Sequence, residues 1–451
     1  MLLRVVNYKG TDRFSLDCVV LPTRRLSPME APPLIFNRRR FLLAVPALVV
    51  AERLAAAQAT ARTLMTPFRR RPIAPPPLPL VYFGTDTDRG RSRGIYVSRF
   101  DLASGRLSPP QLAAATLRPS YLALSHNNTG SRHLYAVNAV PEASATITSF
   151  LIDPSSGALR AINQVSSAGG GPCCISLDAT GEAAFVANYT GSSIASFRVL
   201  PSGALTEPVE RIDYRDRRFG WRGPIGASGL NSARQDAPHP HSVRLSPDNR
   251  FLLVNDLGSD EISVFAVDPA TARLGPPALF SNNRPGCGPR HMAFHPNGRW
   301  VYSINELDST IDRFLWTTTS SRSNPQGLLV LTDAPVKTIA HGFPVARNTA
   351  SEVAITLDGN FLYASNRGED TLVVFRVNPA NGALTLVQRI GCGGRTPRHF
   401  TLDPSSEARW LVCANQDSAS VTVFHRDPAT GHLAGPTQAI ALDSPMFALF
   451  A

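Results

Sequence analysis

Lysine is nearly missing from this chain: Lys9 and Lys337 are the only two among 451 residues, so its basic character rests on arginine. A basic body is missing as well. The formal charge is +11, but residues 1–79 carry Lys9 and twelve arginines against Asp12, Asp17, Glu30 and Glu52, which leaves only +2 for residues 80–451. No cationic surface suited to tracking phosphates is signalled, so no nucleic-acid partner is expected. Long apolar runs are lacking too. The stretch from Phe41 to Ala51 covers about half of a bilayer-spanning helix, so no permanent membrane anchor is expected. Cysteine is sparse: besides Cys18 there are Cys173, Cys174, Cys287, Cys392 and Cys413, an odd set with no C-x-x-C spacing. That pattern signals neither a zinc site nor a disulfide framework, and no metal or cofactor is expected. Proline and glycine, by contrast, make up 70 of the 451 residues, which favours short strands and turns over long helices.

The amino-terminal segment has the order basic, apolar, cleavable: Arg38-Arg39-Arg40 precedes Phe41-Leu42-Leu43, and Ala55-Ala56-Ala57-Gln58-Ala59 follows the apolar run. It resembles a twin-arginine export signal, with Asn37 where Ser or Thr is usual and Glu52-Arg53 interrupting the approach to the cleavage site. Residues 1–59 are read as this leader and residues 60–79, with Arg69-Arg70-Arg71 and Pro75-Pro76-Pro77, as a linker. The expectation is a periplasmic protein delivered by the twin-arginine machinery, with a cytoplasmic one as the alternative.

From residue 80 to residue 451 one pattern recurs. An apolar strand ends in a small polar residue, at Thr85, Asn138, Asn188, Asn255, Asn305, Asn366 and Asn415, and these ends lie 53, 50, 67, 50, 61 and 49 residues apart. A second strand ends in Phe100, Phe150, Phe197, Phe265, Phe314, Phe375 and Phe424. Seven units of about 50 residues, each with room for four short strands, predict an all-β, seven-bladed β-propeller. A further strand, A, precedes each of these two, B and C; the first unit lacks it, and Ser444 to Phe450 supplies it by pairing with Val81 to Thr85 and closing the ring.

Strand A runs antiparallel to B, so starts of A and ends of B converge at one face. Starts of A contribute His239, His241, Arg290, His291, Glu352, Arg398 and His399; ends of B contribute Asn188, Asp256, Glu306, Arg367 and Gln416; and the loop Gly229 to Asp236 enters the same rim. This pocket, rich in Arg, His and Glu, suits a small anion that also needs proton transfer. The asparagines ending B read as turn-forming scaffold, Arg290 with Glu306 also fits a structural ion pair, and His295, before Pro296-Asn297-Gly298, falls at the opposite face and is set aside.

The runs Pro238-His239-Pro240-His241, Gly288-Pro289-Arg290-His291, Asn305-Glu306-Leu307-Asp308, Ala350-Ser351-Glu352, Asn366-Arg367-Gly368 and Thr396-Pro397-Arg398-His399 resemble the seven-bladed β-propeller lactonases, the propeller-type 6-phosphogluconolactonases. The resemblance implies a metal-independent site in the axial mouth, with His241, Arg290, Glu306 and Arg367 as the catalytic set; the other convergent residues His239, His291, Glu352, Arg398, His399 and Gln416 are expected as substrate contacts. It implies hydrolysis of an anionic lactone: Glu306 or His241 takes a proton from water, and Arg290 or Arg367 holds the anion. A muconate-type lactonizing enzyme and a non-catalytic periplasmic binding propeller are the alternatives. A calcium-dependent propeller lactonase would want carboxylates or amides at the channel centre, where arginine and histidine dominate. The oligomeric state is left open by the sequence.

Overall fold

The computed structural model describes residues 78–126, 132–216, 232–281, 284–319 and 326–451. The leader, its arginine cluster, nearly all of the linker and the first part of the 229–236 loop lie outside the described residues. The described chain forms seven antiparallel sheets of four or five strands, each in the order A-B-C-D. The A strands are Pro119–His126, Pro172–Leu177, Pro240–Leu245, Pro289–Phe294, Thr349–Ile355, Pro397–Leu402 and Pro445–Phe450. The last of these pairs with Leu80–Thr85, Val81 lying opposite Phe450 and Phe83 opposite Ala448, so the carboxyl-terminal strand completes the first blade as expected.

Alternation along each strand leaves apolar side chains on both faces, and each face packs on the neighbouring blade. Seven apolar clusters result, each drawing on two successive blades. One joins Tyr82, Ile95 and Phe447 to Leu134, Ala136 and Phe150, and another carries the contact across the closure, joining Val81, Phe100 and Phe450 to Trp410 and Val423. All seven repeated phenylalanines are buried in these seams, each contributing about 1.5–3 kcal/mol. A repeated polar tie crosses the same seams. The hydroxyls of Tyr82, Tyr135, Tyr302 and Tyr363 donate to the carbonyls of Gly157, Gly203, Gly382 and Gly431 in the C–D turn of the next blade, at 2.9, 3.0, 2.8 and 2.7 Å. Glycine is required there: at Gly203 φ is +83° and a Cβ would stand 2.3 Å from the His133 ring.

The asparagines ending strand B are scaffold. The Asn188 amide donates to the Ser167 carbonyl at 3.0 Å, that of Asn366 to the Thr338 carbonyl at 3.0 Å, and that of Asn305 to Thr310 Oγ1 at 2.9 Å. His295, near the A–B turn of its blade, is buried against Gly359 of the next blade and accepts from Asn297 N, a structural role.

One irregularity positions the site. In every blade the A–B register slips at the start of strand A. Pro240 faces Asp256 while Ser242 faces Asn255, which leaves His241 without a partner residue. Arg290 is left over in the same way between Pro289 and His291, and Arg398 between Pro397 and His399. A bulge of this kind re-aims one side chain and kinks the strand. Here it separates two adjacent residues, so the bulged residue and the one after it serve different parts of the axis.

Candidate active site

Glu306 is the hub of the mouth. It follows Asn305 at the end of strand B in blade 5 and is held by its own N–H donating to Gly288 O at 2.7 Å. Three guanidiniums meet its carboxylate: Arg290 Nε at 2.9 Å and Arg367 Nη2 at 2.9 Å on Oε2, and Arg234 Nη2 at 2.8 Å on Oε1. His241 Nε2 stands 3.9 Å from Oε2, beyond hydrogen-bond distance. The four residues of the expected catalytic set are thus brought together. Burial alone would raise the Glu306 carboxyl, but Arg367, Arg290 and Arg234 together hold it well below the usual carboxylate range. It is a fixed negative charge and a poor proton acceptor.

His241 has the complementary character. Burial, reinforced by Arg290 and His291, pushes its pKa well below the ordinary value, so the ring is neutral near pH 7. Its Nδ1 is buried and has no partner among the described residues. Arg398 adds a fourth guanidinium. It makes no ion pair with any described carboxylate, and burial, followed by Arg367 and Arg290, pushes its pKa down to about 9. It stays charged at neutral pH, crowded by like charges, and an incoming anion would relieve that crowding. Four guanidiniums against one carboxylate make the mouth cationic.

Arg234 and Tyr189 belong to the site and were not singled out by sequence. Arg234 closes the short helical turn Ser232–Arg234, and its Nη2 also meets Tyr189 Oη at 3.0 Å. Tyr189 stacks on His239, with ring centroids 4.3 Å apart, and meets His241 edge-on at 5.4 Å. His239 itself is fully engaged: Nδ1 meets Tyr189 O and Nε2 meets Asp236 Oδ1, each at 2.9 Å. It fastens the 232–236 segment to the rim and keeps no ring nitrogen for substrate. Asp256 is likewise scaffold, accepting from His239 N, Gly258 N and Ser259 Oγ.

The remaining expected contacts divide. Gln416 is buried at the end of strand B in blade 7, in the turn Gln416–Ser418, and its side chain takes no part in the Glu306 cluster. His291, Glu352 and His399 form a second cluster: Glu352 Oε2 accepts from His291 Nδ1 at 2.8 Å and lies 3.3 Å from His399 Nε2. Burial raises the Glu352 carboxyl and lowers both imidazoles, His399 to about 4. These three line an axial cavity of about 510 Å³ that extends to the A–B turn at Asp178–Gly181, a cavity whose walls include neither Glu306, Arg290, Arg367 nor His241. The two layers touch where Arg290 Nη1 meets the His291 ring at 3.1 Å and the Ser351 carbonyl at 2.8 Å. The single mouth expected from strand ends is therefore two layers, because the bulge turns Arg290 and His291 to different levels.

Among the described residues no group of three or more His, Cys, Asp or Glu side chains is disposed to hold a metal ion. The five described cysteines are free thiols, and burial pushes the Cys173 and Cys174 thiols up, which leaves them weak nucleophiles.

Residues 80–450 match the family described as Lactonase, 7-bladed beta-propeller. The chain is 30% identical over 369 residues to the 6-phosphogluconolactonase of Bacillus subtilis, across 82% of this chain and 97% of that one. It is 33% identical to the 6-phosphogluconolactonase of Formosa agariphila, across 78% of this chain and 94% of that one. Among solved structures, the periplasmic gluconolactonase of Pseudomonas aeruginosa aligns with a TM-score of 0.70 at 32% identity, across 82% of this chain and 98% of that one.

Proposed function

Because the chain belongs to the seven-bladed β-propeller lactonase family, we propose that it hydrolyses a lactone bearing an anionic group, of the sugar-acid kind its relatives are named for, in the mouth around Glu306. The observation that carries this reading is the charge pattern. One fixed carboxylate gathers Arg234, Arg290 and Arg367, while Arg398 has no carboxylate partner and His241 presents an unpartnered Nδ1. A substrate anion supplies the missing partner for the guanidiniums.

In this reading the neutral His241 imidazole takes a proton from water as the water oxygen attacks the lactone carbonyl carbon. The guanidiniums stabilise the tetrahedral oxyanion. When the ring C–O bond breaks, the imidazolium returns the proton to the departing alkoxide, and the product is a hydroxy acid. Of the two candidate bases, the geometry favours His241: a carboxylate ringed by three cations accepts a proton poorly, whereas it holds those cations in register well. A panel of anionic and neutral lactones tests the proposal. The expected result is turnover to the hydroxy acid with preference for the anionic members; ligand binding without turnover of any lactone would replace the hydrolase with a binding propeller.

We further propose export through the twin-arginine route, on the strength of Arg38-Arg39-Arg40-Phe41 and of the periplasmic location in the name of the Pseudomonas aeruginosa relative. The receptor reads guanidinium groups and not charge alone, so replacing Arg38, Arg39 and Arg40 together by Lys should retain the protein in the cytoplasm on cell fractionation. Equal periplasmic recovery of the variant would contradict this.

A further inference from the structure

Seven A strands surround the axis, so each position along A recurs as a ring of seven. Three residues beyond the bulged one the ring is mostly small side chains: Ala123, Ser176, Ala293, Ala354 and Thr401, with Leu449 the larger member, all line the axial cavity. Arg244 stands in that band as its one arginine, in strand A of blade 4. Exposed to the cavity, it makes no hydrogen bond and no close ion pair with any described residue, although its charge acts on Glu352. The two acids lining this space are committed elsewhere. Asp178 accepts from Glu182 N, Ala183 N and Thr180 N, and Glu352 is clasped by His291 and His399. Below Arg244 the floor is polar and only partly satisfied: Ser242 Oγ is buried, lines the cavity and has no partner among the described residues. A guanidinium carries five N–H donors and no acceptor, so Arg244 brings into this chamber donors that no described residue takes up, beside the aromatic rings of Tyr121 and Phe447.

We propose that this chamber, on the far side of the His291–Glu352–His399 layer from the Glu306 mouth, is a second binding site for a small hydroxy carboxylate, with Arg244 taking the carboxylate. A volume of about 510 Å³ admits a six-carbon sugar acid. The hydroxy-acid class rests on the hydrolase reading, since that is the reaction's product; the anion site itself does not.

The test is calorimetric titration of the full-length protein with D-gluconate, and with sorbitol as the uncharged polyol. Gluconate should bind with a component that survives Arg367→Ala in the mouth and is weakened about tenfold or more by Arg244→Met, as loss of a charge-assisted contact requires, with Arg244→Lys restoring part of it. Arg244→Met should leave lactone turnover within twofold of the parent protein. Unchanged gluconate affinity in Arg244→Met, loss of all gluconate binding in Arg367→Ala, or equal binding of sorbitol would each overturn the site. Arg244-dependent gluconate binding by a protein that hydrolyses no lactone would overturn the hydrolase reading and leave the chamber standing; lactone turnover with no Arg244-dependent binding would do the reverse.

Discussion

Glu306 and His241 face each other across 3.9 Å, and their surroundings divide the chemistry between them. Three guanidiniums fix the carboxylate as an anion; burial and Arg290 keep the imidazole neutral, with its buried Nδ1 unpartnered among the described residues. If His241 is the base, kcat/KM should stay level from pH 8 down through 6.5 and fall only at lower pH, because protonation of the free enzyme's base begins below the ordinary histidine range. An acid limb centred at or above 6.5 would contradict this. His241→Asn should lower kcat by about 10² to 10⁴ with KM little changed, and full turnover in that variant would remove His241 from the mechanism. The convergence of His241, Arg290, Glu306 and Arg367 was legible in sequence because each sits beside a strand-end marker, a proline before His241 and Arg290 or an asparagine before Glu306 and Arg367. Tyr189 carries the same marker in Asn188 but, as an uncharged ring, gives no signal of its own; the loop bearing Arg234 was legible at the rim, but no period fixes which of its side chains turns toward Glu306.

At the scale of the strand, the A–B pair explains what the pattern of strand ends left out. Strand direction alone sends Arg290 and His291 to the same face; a one-residue bulge after the opening proline sends them to different layers, and bulges leave no mark in hydrophobic alternation. The B–C pair of blade 4 yields a prediction of another kind. Asp256 lies opposite Glu261, and burial, with Asp256 and Asp260 nearby, raises the Glu261 carboxyl to about 7. A carboxyl whose folded pKa lies above its unfolded one, about 4.3, favours folding while it is protonated. Its contribution is fully present below that unfolded value and is lost as pH rises toward 7. Glu261→Gln should therefore match the parent protein in thermal denaturation at pH 4 and exceed it at pH 8. A variant less stable than the parent at pH 8 would contradict the argument.

At the scale of the whole molecule, the seven-fold repeat was legible because every copy keeps its strand-end residue and its buried phenylalanine. Closure was legible because one unit lacked an A strand and the chain end had one to spare. The closing strand gives Leu80–Thr85 its inner partner and seals the seam containing Phe450 and Trp410. We expect removal of residues 444–451 to abolish the cooperative urea transition, since it exposes an unpaired edge and an apolar seam together, whereas removal of residues 1–76 should preserve it. A cooperative transition with an unchanged midpoint after the carboxyl-terminal deletion would refute closure as a source of stability. The central claim is that a cationic axial mouth hydrolyses anionic lactones. Its most direct test is kcat/KM for the phosphorylated and uncharged forms of one sugar lactone, in the parent protein and in Arg367→Ala, at low and high salt. The account predicts turnover in the parent protein, a preference for the phosphorylated form that drops about tenfold in Arg367→Ala, and partial erosion of that preference by salt; no turnover of either lactone, or a preference untouched by the substitution, would contradict it.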